Sequence, residues 1–373
     1  MLIGVPKEIK THENRVGLTS SSVRELVLHG HQVMVQKNAG QAIGLDDDFY
    51  RTAGAEIVDT AEEIFSRAEL IVKVKEPQAA ELALLRPGQI LFTYLHLAPD
   101  PVQAQGLLDS GCIAIAYETV TDQYGGLPLL APMSEVAGRM SIQAGAHALE
   151  MDQGGCGMLL GGVSGVPSAR VVVIGGGVVG TNAARVAMGM EAHVTVLDKS
   201  IHRLQQLDMQ YGSRINTVFS TIDAIEAHVA TADLVIGAVL VPGAATPRLV
   251  GRELVQAMHR GAVLVDVAID QGGCFATSRP TTLADPMYIL HDVVHYCVSN
   301  MPGAVARTST FALNNVTLPF VLSIAGNGHR KALMDDPHLR NGLNVCQGQI
   351  THQAVARELG KPYTDPVTLL QKQ

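Results

Sequence analysis

Tryptophan is missing from the 373-residue chain and aromatic residues make up only 4% of it, so any core must be aliphatic. Charged residues are also sparse, at 17% against 47% apolar, which leaves ample material for buried cores. No basic block stands out. The 27 Lys and Arg face 35 Asp and Glu, and a net charge of −8 gives no footprint for nucleic acid or an anionic membrane. The cysteines, Cys112, Cys156, Cys274, Cys297 and Cys346, are odd in number, scattered and free of C-x-x-C pairs. That spacing suits neither a disulfide framework nor a zinc site, so free thiols and no metal are expected. Long apolar runs are lacking too. The most apolar stretches, such as residues 157–163, are short and glycine-rich, and no membrane span is expected. The start, MLIGVPKEIK, has no long apolar signal core, and a cytoplasmic protein is the expectation.

Glycine, by contrast, is abundant at 37 residues, and its most informative cluster lies in residues 169–180, ARVVVIGGGVVG. A β-branched run ends in G-x-G-x-x-G through Gly175, Gly177 and Gly180, and an Ala-rich helical pattern follows. The first glycine permits a sharp turn, the second lets a pyrophosphate approach the backbone, and the third lets helix pack on strand. A second strand, residues 193–197, ends at Asp198, eighteen residues after Gly180. A carboxylate there suits a ribose diol and disfavours a 2′-phosphate, so NAD is preferred over NADP. Arg203 lies close by and keeps NADP open. The bland alternative for the hexad is a glycine-rich turn with no ligand.

The rest of the chain alternates strand and helix. Strand patterns cover residues 2–5, 32–35, 69–74, 89–94 and 112–117, with helices over 20–28, 60–67 and 99–110. Ser134 is placed to cap a long helix, and residues 154–165 form a glycine-rich connector. After Asp198, strands are expected over 215–219, 233–239, 261–267 and 293–298. Residues 308–322 read as a helix interrupted by Pro319, and 351–359 as a last helix. This pattern predicts an α/β protein with two Rossmann-like, doubly wound parallel-sheet domains separated by a cleft. The expected division is a discontinuous first domain, 1–129 plus 307–373, and a dinucleotide-binding domain, 130–306.

Ligands of such sheets bind beyond the C-terminal strand ends. The strand-end residues are Lys75 and His96, with Arg15 in the loop after the first strand, and Asp198, Asp270 and Asn300 further on. A guanidinium at Arg15 forks onto a carboxylate, Lys75 suits a carbonyl or carboxylate oxygen, and His96 exchanges protons near neutrality. Asp270 suits orienting a water. Each has a plainer reading: Arg15 as a solvated loop residue, Lys75 as a surface ion pair with Glu76, His96 as structural, and Asp270 as a turn cap. His291 and His295 are assigned to structure. Met133 and Met301 read as packing residues, but both flank the presumed cleft and could touch a nicotinamide.

Several runs carry more than a class. IGVPKEIKTHENRVGLT, IVKVKEP, LFTYLHLA, APMSEVAGRMS and VVHYCVSNMPGAVARTSTFALNN closely resemble the bacterial L-alanine dehydrogenase family along essentially the whole chain. The same superfamily includes the α-subunit of proton-translocating transhydrogenase, the alternative reading. The resemblance implies reversible NAD-dependent deamination of L-alanine to pyruvate and ammonium, two Rossmann-like domains and a homohexamer. By motif, Arg15 and Lys75 would bind substrate, and His96 and Asp270 would be catalytic. Cofactor contacts would include Ser134, Gly175, Gly177, Val178, Gly180, Asp198, Arg203, Ser220, Val239 and Leu240. They would extend to Val267, Ala268, Ile269, Asp270, Arg279 and the turn Val298, Ser299, Asn300 and Met301. Two positions depart from the family pattern: Ala245, where lysine is frequent, and Leu283, where a polar residue is usual. A saccharopine-type dehydrogenase and a non-catalytic NAD sensor are further rivals. All four polar catalytic candidates are present, which disfavours the sensor.

Overall fold

The computed structural model describes residues 1–239 and 246–371. The chain divides into two compact units, residues 1–133 with 305–373, and residues 134–304. The first holds β1 (Leu2–Val5), β2 (Gln32–Gln36), β3 (Glu56–Val58), β4 (Leu70–Val72), β5 (Ile90–Thr93) and β6 (Ile113–Ala116). The second holds β7 (Arg170–Ile174), β8 (His193–Asp198), β9 (Asn216–Phe219), β10 (Leu234–Gly237), β11 (Val263–Asp266), β12 (Met287–Leu290) and β13 (Val293–Tyr296). The tail adds β14 (Leu343–Cys346) and β15 (Gln349–Ile350) to the first sheet.

Both sheets are parallel except at one edge. The first runs β15-β14-β6-β5-β4-β1-β2-β3, and its tail strand β14 pairs antiparallel with β6. The second runs β12-β13-β11-β10-β7-β8-β9, with β12 antiparallel to β13. Strand order reverses between β1 and β4 in one sheet and between β7 and β10 in the other. At such a reversal the adjoining loops leave in opposite directions and open a crevice.

Parallel strands covered on both faces read as continuous apolar runs. In β7, Val171 and Val173 join one cluster with Ala183, Ala187 and Leu207. Val172 and Ile174 point the other way, into a cluster with Ile225, Val255 and Phe275. The glycines close the turn above them. Gly175 has φ +101, and a Cβ there would lie 2.8 Å from the Ala238 carbonyl.

The structure corrects two local readings. The helix Ala131–Ala148 starts ahead of Ser134, which lies inside it rather than at its cap. Pro132 fits the first turn, where a missing N–H costs nothing. The late helix runs Ala306–Asp335 straight through Pro319, and its non-helical residue is Gly328. Thr317, Val321 and Ile324 are buried around the proline, so packing outweighs its missing hydrogen bond. That helix also holds the loop after β1. Asn314 accepts the Thr19 N–H at 2.8 Å and donates to the Gly17 carbonyl at 3.2 Å.

Just beyond β4, Lys73 donates to Glu8 at 3.1 Å and to Glu81 at 2.6 Å, and all three side chains are at most 2% exposed. Burial opposes the ammonium, yet two carboxylates hold its pKa above the ordinary lysine value. Removing one partner of a buried pair strands the other charges. Lys73→Met should therefore cost about 3–5 kcal/mol, read as a lower denaturant midpoint at an unchanged slope. A midpoint equal to wild type would show that the triad does not hold this strand end.

Candidate active site

Four loops leave the C-terminal ends of β1, β4, β5 and β6, and each brings a polar side chain. Arg15 is 2% exposed, not a solvated loop residue. Its Nε and Nη2 fork onto Glu13 at 2.7 and 2.5 Å, and Nη1 lies 3.1 Å from the Met133 sulfur. Glu13 also accepts the Arg15 N–H at 3.0 Å, so one carboxylate fixes both backbone and guanidinium.

Lys75 is half-buried, and its ammonium has neither an ion pair nor a hydrogen bond among the described residues. The surface pair with Glu76 does not form, because Glu76 takes Lys10 instead. Burial pushes the Lys75 pKa below the ordinary value, and the Arg15 charge adds to the effect. Its backbone is held on both sides. The N–H lies 3.3 Å from Glu8, whose same oxygen accepts Val74 N–H at 2.7 Å, and the carbonyl accepts Thr93 at 2.9 Å. A cation kept partly dry without a direct ion pair is a place for an anionic ligand.

His96 follows β5 in the left-handed region, at φ 49. Such a conformation is rare outside glycine and asparagine and persists only where neighbours impose it. Glu118, just after β6, does so by accepting the His96 N–H at 2.6 Å and the Leu95 N–H at 3.2 Å. The imidazole stacks on Tyr94 at 5.8 Å and leaves 47% of its side chain exposed. The sequence reading did not single out Glu8, Glu13 or Glu118. The strand-end rule that found His96 also reaches Glu118, two residues past β6.

In the second unit the glycine loop leads into the helix Val178–Gly189, whose N-cap, Gly177, offers no side chain to its first N–H groups. A Cβ on Gly177 would meet nothing, whereas one on Gly180 would collide with the Gly175 carbonyl. The third glycine is thus required by the chain itself. The second leaves open space beside a row of amide donors, a cradle for an anionic group. Asp198 accepts the Gly176 N–H at 2.6 Å and the Ser200 N–H at 2.7 Å. Arg203 donates to the Gly176 carbonyl at 2.6 Å and to Gln206 at 2.7 Å, and it also reaches Thr181. Its guanidinium braces the loop. Ser220 and Val239 follow β9 and β10, while Leu240 and Ala245 lie outside the described residues.

Past β11, Asp270 is exposed in the turn Ile269–Gln271, behind half-buried Val267 and Ala268. The buried carboxylate in this segment is Asp266, which the sequence reading passed over. It accepts Cys274 N–H at 2.9 Å, Phe275 N–H at 3.3 Å and Ser278 Oγ at 2.5 Å. Burial raises its pKa against those donors. Arg279 lies 4.3 Å over the Tyr288 ring. Beyond β13 come buried Val298 and Met301, with Ser299 and Asn300 half-buried between them and Asn300 at φ 63. His295 is structural: its nitrogens lie 2.8 Å from Thr277 Oγ1 and 3.0 Å from the Val293 carbonyl. Leu283 packs against the core.

These features define a two-unit Rossmann-like α/β protein, one sheet ending in buried cations and the other in a glycine cradle. Residues 4–137 match the family "Alanine dehydrogenase/PNT, N-terminal domain", and residues 141–353 match its C-terminal domain. The chain belongs to the alanine dehydrogenase/PNT family. It is 60% identical to an alanine dehydrogenase of Halomonas elongata over 370 residues, 99% of this chain and 100% of the relative. A solved L-alanine dehydrogenase superposes with a TM-score of 0.94 at 51% identity, covering 96% of this chain and 99% of that one. A transhydrogenase from Sinorhizobium meliloti shares the fold, with a TM-score of 0.83 at 22% identity over 94% of this chain and 100% of that one.

Glu118→Ala would leave two strand-end N–H groups without their acceptor, and the expected loss of stability is about 1–3 kcal/mol. Urea unfolding checks it, and a change under roughly 0.5 kcal/mol would mean that water replaces the carboxylate without cost.

Proposed function

We propose that this protein is an NAD-dependent oxidoreductase that interconverts L-alanine with pyruvate and ammonium. The observation that carries the reading is 60% identity to an alanine dehydrogenase along 99% of the chain. A transhydrogenase role has less support, since the likeness at 22% identity extends to the fold alone. The family resemblance further supports a cytoplasmic homohexamer.

The dinucleotide is assigned to the second unit. The open space at Gly177 and the uncapped amides of the helix Val178–Gly189 fit a pyrophosphate. Asp198 fits a ribose diol: two backbone donors already orient it, and a carboxylate has further lone pairs to offer. Val178, Gly175 and Gly180 shape this loop. Ser134, Ser220, Val239, Leu240, Val267, Ala268, Ile269, Arg279 and the turn from Val298 to Met301 complete the assignment. NAD, when bound, supplies the acceptor for the hydride that leaves alanine Cα.

The remaining chemistry falls to side chains. Arg15 and Lys75 hold the substrate carboxylate and the developing carbonyl oxygen, which fixes Cα for reaction. Glu13 already neutralises much of Arg15, so Lys75 supplies the less compensated charge. Water adds to the iminium carbon, and His96 moves the proton at the resulting carbinolamine oxygen. Asp270 steers the water, or ammonia in the reverse direction. Collapse of the carbinolamine releases ammonium and leaves pyruvate.

Following NADH absorbance with L-alanine and NAD should show turnover. A folded His96→Ala variant should lose roughly 10²–10⁴-fold in kcat, and undiminished turnover would remove His96 from proton transfer. Lys75 gives a pH signature. Its lowered pKa means that the ammonium loses its proton earlier on the alkaline side than an ordinary lysine. Pyruvate KM should therefore rise as pH climbs, beginning below the usual lysine range. Lys75→Arg, charged throughout, should flatten that rise, and an identical profile in both proteins would exclude Lys75 as its source.

A further inference from the structure

At the N-terminal edge of the second sheet, opposite the glycine loop, three unlike side chains converge. Cys156 comes from the glycine-rich connector, Asp233 stands just ahead of β10, and His259 precedes β11. Their ligand atoms, one from each residue, all lie within 4.8 Å of one another. From this convergence we propose that Cys156, Asp233 and His259 form a binding site for one borderline-soft divalent cation of the zinc class.

The argument starts from His259. Its Nδ1 lies 3.2 Å from the Arg260 carbonyl, which can only accept, so Nδ1 is the donor. In the neutral ring Nε2 then carries a lone pair, and it faces Asp233 Oδ1 at 3.0 Å. Two acceptors cannot share that space without a proton or a cation between them. A histidine whose Nδ1–H is held by a backbone carbonyl, with Nε2 turned to other donors, is the usual orientation of a metal ligand. Asp233 is oriented in turn: its Oδ2 accepts the Arg170 N–H at 2.7 Å, which leaves Oδ1 for the site.

Cys156 completes the donor set. Burial and the Asp233 charge push its thiol pKa up, against the backbone N–H groups of Cys156 itself and of Met158. The approach of the connector is built in. Cys156 N–H donates to the Gly261 carbonyl at 3.0 Å. Gly261 has φ +76, and a Cβ there would lie 2.5 Å from the Cys156 nitrogen. One thiolate, one imidazole and one carboxylate match zinc; they do not match calcium or magnesium, which prefer all-oxygen sets. Three protein ligands leave a fourth position for water, on the side where His259 is 40% exposed. The bound ion would staple the connector to the starts of β10 and β11.

The test strips the full-length protein with chelator and titrates it with Zn²⁺ and with Co²⁺. One equivalent per chain should bind, Co²⁺ should produce a thiolate-to-metal charge-transfer band, and Zn²⁺ should raise the thermal midpoint. Cys156→Ser should abolish the band, and both Cys156→Ser and His259→Gln should weaken Zn²⁺ binding by at least about tenfold. Their metal-free unfolding curves serve as the folding control, and if one variant misfolds the other decides. Cobalt bound without the band, or zinc bound equally well by either folded variant, would overturn the proposal. So would the absence of binding at stoichiometric zinc.

Discussion

A charge at the end of a buried parallel strand must be matched locally, and the ion triad of Glu8, Lys73 and Glu81 meets that demand in the first unit. The triad does more than neutralise. Glu8 stands in the loop after β1, and its second oxygen takes the Val74 N–H at 2.7 Å. Glu81 accepts the Gln78 N–H at 2.8 Å, which begins the next helix. Three segments that separate in sequence are thus bound by one lysine. Desolvation penalises every member, so only the complete set is tolerable. Once Lys73 is fully compensated, Lys75 can be left without an ion pair two residues later. A single strand end thus carries one paired cation and one without an ion pair.

Carboxylates play the corresponding part in the second unit, directed at backbone donors. Asp198 at the end of β8 gathers N–H groups from the glycine loop and from the start of the next helix. Asp266 at the end of β11 gathers two N–H groups and a serine hydroxyl. Loops after parallel strands carry many amides that no ladder satisfies, and an acceptor at the strand tip answers them in place. Asp198 therefore shapes the turn whether or not a dinucleotide is present. With Arg203 bound to Gly176, neither residue is a simple recogniser of ribose or phosphate, and replacing either would disturb the loop before altering cofactor choice.

The alternating strands and helices of the two sheets were legible because buried parallel strands leave continuous β-branched runs, as in residues 171–174. Four strands at or near the edges were not, although the edge strand β9 was. β3 has three residues, β15 has two, β12 is only partly buried, and β14 forms through pairing with the distant β6, which no local pattern encodes. At the candidate site, Arg15, Lys75 and His96 were found by the strand-end rule. Their partners Glu13, Glu8 and Glu118 were not, because an acid in a loop reads as solvated until the fold buries it. The burial of Arg15 was invisible for the same reason: the loop carrying it is held down by Asn314, hundreds of residues later. The Cys156, Asp233 and His259 cluster has no regular ligand spacing because its members come from three separate segments.

The histidines show how structure separates an open side chain from a packing one. His295 is fully buried with a contact for each nitrogen, so any proton it moved would break an internal bond. His96 is the opposite case. Its backbone is strained at φ 49 and held by a carboxylate, while its ring is half open and Nδ1 stands 3.9 Å from Glu118, beyond hydrogen-bond reach. A half-buried acceptor thus fixes where the imidazole starts, while the nitrogens are left uncommitted. Strain of this kind is retained only where the surroundings over-determine it. Here the over-determination comes from Glu118 and the Tyr94 ring, whose hydroxyl is itself anchored to the Leu129 carbonyl at 2.6 Å. Rigid placement with free nitrogens is what proton exchange with a bound substrate requires, and packing alone would have favoured the reverse.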